Sequence, residues 1–375
     1  MNFILTEEQQ MLADTVARFV QTEYDFEARR RRLAAAAGAA PGYDEGLLGQ
    51  LAELGLFALN VPEAWGGIGA GPVETMIVME GLGRGLVVEP FLASGVIAPR
   101  LIATHGSPAQ KDRFLPGIAT GELRFAVAAL EPQSRFDLDE IATTARRAEG
   151  HWIVDGAKSV VMNGDSAHWF IVTAQSEAGP LLLLIDAQAD GVTAAGFPTL
   201  DGRRAAELRF AGVRVADDCM LGAPGQGLAL ADWAIDQGLA GLAAEAVGAM
   251  GRLTELTCEY IATRKQFGQA IGSFQALQHR AADMRINVEQ ARALALMAAA
   301  RVDSADAADR RRAASAAKAM AGRAGRYVGQ QATQLHGGMG MTDEMACGHY
   351  FKRLTAIDMT WGDSEHHVER YGELL

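Results

Sequence analysis

The stretch that most narrows what this chain can be runs from residue 274 to residue 298. Phe274, Leu277, Ala281, Met284, Val288, Ala291, Ala295 and Ala298 recur three and four residues apart, the spacing of one buried face on a long helix. So continuous a seam, with alanines that let helices approach closely, reads as part of a helix bundle. The preceding segment, GLALADWAIDQGLAGLAAEAVGAM, is helical in character as well. The N-terminal end is similar. LTEEQQMLADTVARFV carries Leu5, Met11, Leu12, Val16 and Phe19 at helical spacing, with Thr6 as N-cap. EARRRRLAAAA follows, and its arginines Arg29 to Arg32 read as a solvated helix face. AGAAPGY is a break, after which helical patterns resume at GLLGQLAELGLFAL and from Val73 to about Gly83.

Near Gly121 the period changes. HWIVDG, WFIVTAQ, PLLLLID and AELRFAGVRV are short β-type runs, punctuated by the Gly, Asp and Asn that turns require. The expected fold class is α+β: an N-terminal helical domain (1–120), a middle β domain (121–227) and a C-terminal helical bundle (228–375).

Bulk properties exclude several functions. The 375 residues suffice for two or three domains with a buried interior, and 49% hydrophobic with 21% charged residues is ordinary for a soluble globular protein. A net charge of −12 disfavours nucleic acid or an anionic membrane as the main partner. Cys219, Cys258 and Cys347 are far apart and form no CxxC, against a disulfide framework or a thiolate zinc site. No run approaches the ~20 apolar residues of a membrane span. MNFILTEEQQ turns polar too soon for a signal peptide, so the expectation is a cytoplasmic protein.

Four motifs carry candidate chemistry. GGIGAG at 66–71 lacks the G-x-G-x-x-G spacing and follows a helix rather than a strand, so it reads as a turn. DMTWGDSEHH at 358–367 crowds Asp358, Asp363, Glu365, His366 and His367. The adjacent histidines would point about 100° apart on a helix, and HExxH is absent, so no metal is expected even though Asp363 and His367 are four residues apart. GDS near Ser364 lacks the G-x-S-x-G elbow. TRKQFGQAIGSFQALQHRAADM (263–284) links two helical stretches, and its Arg264 can hold a pyrophosphate. QLHGGMGMTDE (334–344) has glycines that let backbone approach a ligand. Both stretches can equally be plain interhelical turns.

These last two stretches resemble the C-terminal signatures of the acyl-CoA dehydrogenase family. LGLFALNVPEAWGGIGAG and GLGRG resemble its N-terminal helical domain, and ELRFAGVRVADDCMLGAPGQGL the end of its β domain, so the resemblance runs nearly end to end. It implies a helical domain, a β-barrel or sandwich and a four-helix bundle, assembled as a tetramer with FAD between subunits. Such enzymes oxidise an acyl-CoA thioester between its α and β carbons. A carboxylate base takes the α proton, and the flavin takes the β hydride and passes electrons to an electron-transfer flavoprotein. By the resemblance, Arg264, Phe267, Gln275, Gln334, Gly337 and Gly338 fall on cofactor-contacting positions that mostly reach a neighbouring subunit's FAD. Asp236 falls on a position that contacts the CoA ligand.

The other half of the site departs from the family's pattern. Where the family has E-P-G-x-G-S-D, this chain reads ALEPQSRFDLDE, keeping Glu131 and Pro132 but not the glycines. Where the family has W-I-S/T-N, it has Val160, Val161 and Met162 before Asn163 and Gly164. A valine cannot stack as Trp does, and Met is a weak acceptor and no donor. The Glu of the family's Y-E-G-T motif is replaced by Trp361, whose indole has no basic lone pair. The family's alternative base position falls on Gly238, and the Arg that commonly follows on Leu239. Asp363, Glu365 and Glu245 are the carboxylates left as relocated bases. The C-terminus LTAIDMTWGDSEHH resembles the small subunit of pimeloyl-CoA dehydrogenase-type heteromeric members. The leading expectation is therefore a degenerate-site subunit that completes a catalytic homologue's FAD site in a heterotetramer. The alternatives are a self-sufficient homo-oligomeric dehydrogenase with a relocated base, and a non-enzymatic acyl-CoA-binding or scaffold protein.

Overall fold

The computed structural model describes residues 5–35 and 41–375. The first residues of the AGAAPGY break lie outside them. In chain order the elements are α1 (Glu7–Glu23), α2 (Phe26–Ala35), α3 (Glu45–Glu53), α4 (Pro72–Gly85), α5 (Ala98–His105) and α6 (Pro108–Ala119). Strands β1 (Phe125–Ala128), β2 (Thr144–Ala148), β3 (His151–Met162), β4 (Trp169–Ser176), β5 (Gly179–Asp186), β6 (Val192–Pro198), β7 (Arg204–Ala216) and β8 (Met220–Leu221) follow. Then come α7 (Gly227–Thr263), the hairpin β9 (Lys265–Gln266) and β10 (Gln269–Ala270), α8 (Gln275–Arg301), α9 (Ala307–His336), α10 (Ala346–Met359) and α11 (Ser364–Gly372). The helical, β, helical order is the one expected.

The chain divides into two compact units. One comprises Met1–Arg29, Pro72–Val87 and Leu239–Leu375. In it, Thr6 caps α1 as expected: its hydroxyl accepts from the Gln9 amide, and the Gln9 side chain returns a bond to the Thr6 N–H. Val16 and Phe19 are buried, and α1 lies on α4. The expected seam of α8 is realised in its C-terminal part, where Met284, Val288, Ala291, Ala295 and Ala298 are buried; Phe274, Leu277 and Ala281 are only partly covered. Helix α9 receives α8, α10 and α11, and its buried alanines, among them Ala314, Ala317 and Ala321, keep those neighbours close. In α4, Gly83 lies against the backbone of Glu245, where a Cβ would sit 2.1 Å from a carbonyl oxygen. The solvated face expected of Arg29 to Arg32 fails at its first residue. Arg29 is not solvated but buried, its Nε donating to the Leu86 carbonyl just past the end of α4. A polar group left over at a helix end takes whatever donor reaches it.

The other unit comprises Arg30–Gly71 and Val88–Gly238. Its sheet runs β6-β7-β3-β2-β4-β5-β8, with β1 pairing parallel to β4. The four runs read from the sequence are β3, β4, β5 and β7. Strands β1, β2, β6 and β8 were not anticipated. β2 (TARRA) and β6 (VTAAGFP) present mostly exposed residues and owe their conformation to the strands that flank them. The helical pattern over GLLGQLAELGLFAL stops at Glu53: Gly55 takes φ +75, and the turns that follow bury Leu56, Phe57 and Leu59. GGIGAG is the turn expected, leading into α4 with no strand before it. Among the described residues no helix is long and apolar enough to cross a membrane.

Candidate functional site

The DMTWGDSEHH stretch forms the turn between α10 and α11, and most of its polar groups are committed. The buried Asp358 carboxylate accepts from the Ser364 N–H (3.0 Å) and hydroxyl (2.7 Å) through one oxygen, and from Arg326 (2.9 Å) through the other. Asp363 caps α11, accepting from the Glu365 and His366 N–H groups at 3.1 and 2.9 Å. His367 is buried; its Nε2–H donates to the Trp361 carbonyl (3.1 Å) and its Nδ1 faces the Ser315 hydroxyl (3.4 Å). Burial, followed by the charges of Lys318 and Arg370, holds this imidazole at about 2, so it is neutral. Trp361 has φ +54 and Gly362 φ +115. Gly362 is obligatory twice over: a side chain there is strained, and its Cβ would meet His366 and His367 at 2.5 and 2.7 Å. Among the described residues no three His, Cys, Asp or Glu side chains are grouped to hold a metal ion.

The candidate bases differ in freedom. Glu245, 1% exposed, is clamped by Arg353, whose Nε and NH2 donate to its two oxygens at 2.8 and 2.7 Å. Both oxygens are thus engaged by a bidentate guanidinium. Asp363 spends an oxygen on the helix cap, while Glu365 lies exposed on α11. Asp236, on α7 in the other unit, is fully buried.

The cofactor-contacting candidates share one surface of the helical unit. The Tyr260 ring, near the end of α7, stacks on His336 at the end of α9 with centroids 4.4 Å apart. That contact brings the Arg264–Gln275 link beside the Gln334–Gly338 turn. Arg264, Phe267, Gln275, Gln334, Gly337 and Gly338 are all exposed. Phe267, at the tip of the β9–β10 hairpin with φ +54, is 90% exposed. Gly337 takes φ +61, and a Cβ on it or on Gly338 would project into open space. A guanidinium, two side-chain amides and bare glycine backbone facing solvent are the donor set that a dinucleotide's phosphates take.

In the β-containing unit, the segment at Glu131 is closed on itself. The Glu131 N–H donates to the Ser134 hydroxyl (2.9 Å), and the Ser134 N–H to the Glu131 carbonyl (3.1 Å). The Glu131 carboxylate accepts from the Ala142 N–H (2.8 Å), the Thr143 N–H (3.0 Å), Gln133 (2.9 Å) and the fully buried Lys158 (2.6 Å). Burial pushes the Glu131 carboxyl up, but the bonds from Lys158 and Gln133 outweigh it and hold the group at about 2. Burial lowers Lys158 to about 8, against the pull of Glu131. Two residues on, Val160 has φ +50 and is 54% exposed; its N–H and the Ser159 hydroxyl both donate to Glu207. A β-branched residue in the left-handed region is a real outlier. Val160 offers no ring for a flat cofactor, and the amides around Glu131 are spent internally, so this segment does not fit a stacked isoalloxazine.

Lys158, Lys318 and Arg353 were not among the sequence candidates. Lys158 had a readable signal, because period-two alternation puts it on the inward face with Trp152 and Val154. Lys318 lies in an alanine-rich helix where sequence alone does not separate a buried cation from a solvated one.

The chain thus has helices at both ends, a β domain between them, and an exposed arginine, two exposed amides and two exposed glycines near the ends of its C-terminal helices. The acyl-CoA dehydrogenase N-terminal domain matches residues 6–122, the middle domain 126–213 and the C-terminal domain 225–375. The acyl-CoA dehydrogenase FadE12 of Mycobacterium tuberculosis is 33% identical over 363 residues, covering 92% of this chain and 89% of that protein. The ChsE4-ChsE5 complex from Mycobacterium tuberculosis superposes with a TM-score of 0.91 at 26% identity, covering 100% and 98%. A variant of the Tcur3481-Tcur3483 steroid ACAD superposes at 0.90 with 29% identity, covering 98% and 97%. The chain belongs to the acyl-CoA dehydrogenase family, oxidoreductases of CH–CH bonds that depend on FAD. When bound, that flavin supplies the hydride acceptor.

Proposed function

We propose that this chain is an acyl-CoA dehydrogenase subunit that has lost its own base and flavin-stacking side chains and completes the FAD site of a homologous catalytic partner in a heterotetramer. Its domains would be 1–120, 121–227 and 228–375. Arg264, Gln275 and Gln334 would hold the partner's FAD phosphates, Gly337 and Gly338 would admit them, and Phe267 would cover the nucleotide. The carrying observation is a contrast: these six positions are exposed and open, while position 361 is an indole and Glu245 is clamped by Arg353. The likeness to two-component proteins, the ChsE4-ChsE5 complex and the Tcur3481-Tcur3483 steroid ACAD, supports the pairing. The reaction would be α,β-desaturation of an acyl-CoA thioester by the partner's base, with electrons leaving to an electron-transfer flavoprotein in the cytoplasm.

The test is flavin counted per chain, with the visible spectrum followed on anaerobic addition of acyl-CoAs. The chain alone should be colourless, and co-expression with a homologue bearing an intact Glu should give one flavin per pair, bleached by the thioester. Arg264→Ala or Gln334→Ala in this chain should strip flavin from the pair. Full flavin on the isolated chain, bleached by a thioester, would overturn the proposal.

A further inference from the structure

Helix α9 spends one stripe on a single turn. Ser315, Lys318, Gly322 and Arg326 stand three, four and four residues apart, so they share a face, and each meets the segment 358–370. Lys318, fully buried, donates from Nζ to the Asp358 carbonyl (2.9 Å) and to the Gly362 carbonyl. Ser315 sits at 3.4 Å from His367 Nδ1 and accepts from Arg370 at 3.1 Å, while His367 Nε2–H holds the Trp361 carbonyl at 3.1 Å. Arg326 reaches Asp358 Oδ2 at 2.9 Å. Gly322 gives the clearance: a Cβ there would lie 1.9 Å from Asp358 Oδ1 and 2.3 Å from the Ser364 hydroxyl.

The carbonyls of residues 358, 361 and 362 are therefore each held from inside by a buried donor. The Asp358 carboxylate, which would be the natural partner of a buried ammonium, is occupied by Ser364 and Arg326. The amine's hydrogens go to backbone carbonyls instead. The terminal carbonyls of α10 are otherwise left over, and they carry the negative end of the helix dipole. None of these bonds involves the side chain at position 361. The turn's path is set by its backbone and by α9.

We propose that Lys318 is the positioning residue of the Trp361 turn, fixing the place from which the side chain at 361 projects whatever that side chain is. The meaning of the seat rests on the family reading, since 361 is where the base of relatives falls; the geometry does not. Two consequences separate this from a merely structural lysine. Exchanging the 361 side chain leaves the turn in place, and removing the Lys318 amine frees the turn while the rest of the bundle stays folded.

The test is amide hydrogen exchange on the purified chain, alone or in whatever assembly it is isolated, read on peptides spanning 357–368 and on α8 as a control. Lys318→Met should raise exchange in 357–368 at least tenfold and leave α8 unchanged, and Lys318→Arg should restore part of the protection. Trp361→Phe and Trp361→Glu should leave 357–368 at wild-type rates. If Lys318→Met does not fold, the two Trp361 variants still decide. Faster exchange of the turn in either one overturns the proposal, as does unchanged exchange in a folded Lys318→Met. Flavin content is the separate readout for the function proposed above, so the two ideas can fail independently.

Discussion

Replacing Lys158 by Met should be among the most damaging single changes in the β-containing unit. The ammonium is fully buried and gives bonds to Glu131 (2.6 Å) and to the Thr173 hydroxyl (2.8 Å). Met fills nearly the same volume, so packing loss is minor and the effect is electrostatic. Breaking a buried ion pair by removing one partner costs about 3–5 kcal/mol, because the other charge is stranded. Glu131 keeps the N–H groups of Ala142 and Thr143 and the Gln133 amide, which places the loss near the lower end, about 3 kcal/mol. Glu131→Gln alone strands the cation but keeps an acceptor for the two amides, a loss of about 2 kcal/mol. If the two residues act on each other, the double variant should cost about 2 kcal/mol, well short of the sum, because nothing charged remains buried. The assay is urea unfolding at pH 7 and fixed protein concentration, comparing midpoints at constant slope. Strict additivity, or a loss below about 1 kcal/mol for Lys158→Met, would refute the reasoning. The acid limb supplies a cross-check. Glu131 is held at about 2, below its ordinary 4.5, so its stabilisation is complete above pH 4.5 and drains away as pH falls toward 2. Lys158→Met should shift that loss to higher pH.

Three further outcomes follow from single residues. Burial lowers Lys318 to about 7 from its ordinary 10.5, so the unfolded chain holds the extra proton between those values and stability from this group rises with pH across that window. Differential scanning at pH 7 and pH 10 should show the wild type gaining on Lys318→Met, and a constant difference would contradict it. Val160→Gly should stabilise by about 1 kcal/mol, since about 1–3 kcal/mol of left-handed strain is released against about 0.5–1 kcal/mol of added chain entropy; a lowered unfolding midpoint would say the strain is not there. Gly322→Ala should destabilise by about 2–3 kcal/mol, because a Cβ 1.9 Å from Asp358 Oδ1 forces α9 and the turn apart; an unchanged midpoint would mean that the turn yields freely.

What the sequence disclosed followed the range of each interaction. Local signals were legible. The Thr6–Gln9 capping box, the three-and-four spacing from Met284 to Ala298 and the short β runs each depend on neighbours within a few residues. Strands that lack an apolar pattern of their own, β2 and β6, were not, because β3 and β7 impose their conformation. Arg29 shows the same limit. Four arginines in a row look like a solvent face, and it is distant groups, the Leu86 carbonyl and the His349 ring, that meet the first one inside. At the candidate site, the residues facing outward, Arg264 through Gly338, were readable as motif. The devices holding the backbone were not: Lys158 with Glu131 joins residues 27 apart, and Lys318 reaches Gly362 from 44 positions away.

The exposed ring of Phe267 carries a consequence at the scale of the cell. A phenyl group 90% in water at the tip of a hairpin of two-residue strands is a standing invitation to whatever greasy surface passes by. Under the pairing proposed above, a copy without its partner leaves that ring uncovered, and such copies are the ones that chaperones and proteases would remove. The ring thus turns synthesis into a matter of dosage: copies made beyond what can shelter it should be short-lived. Its accumulation should track the supply of that shelter rather than the strength of its own promoter.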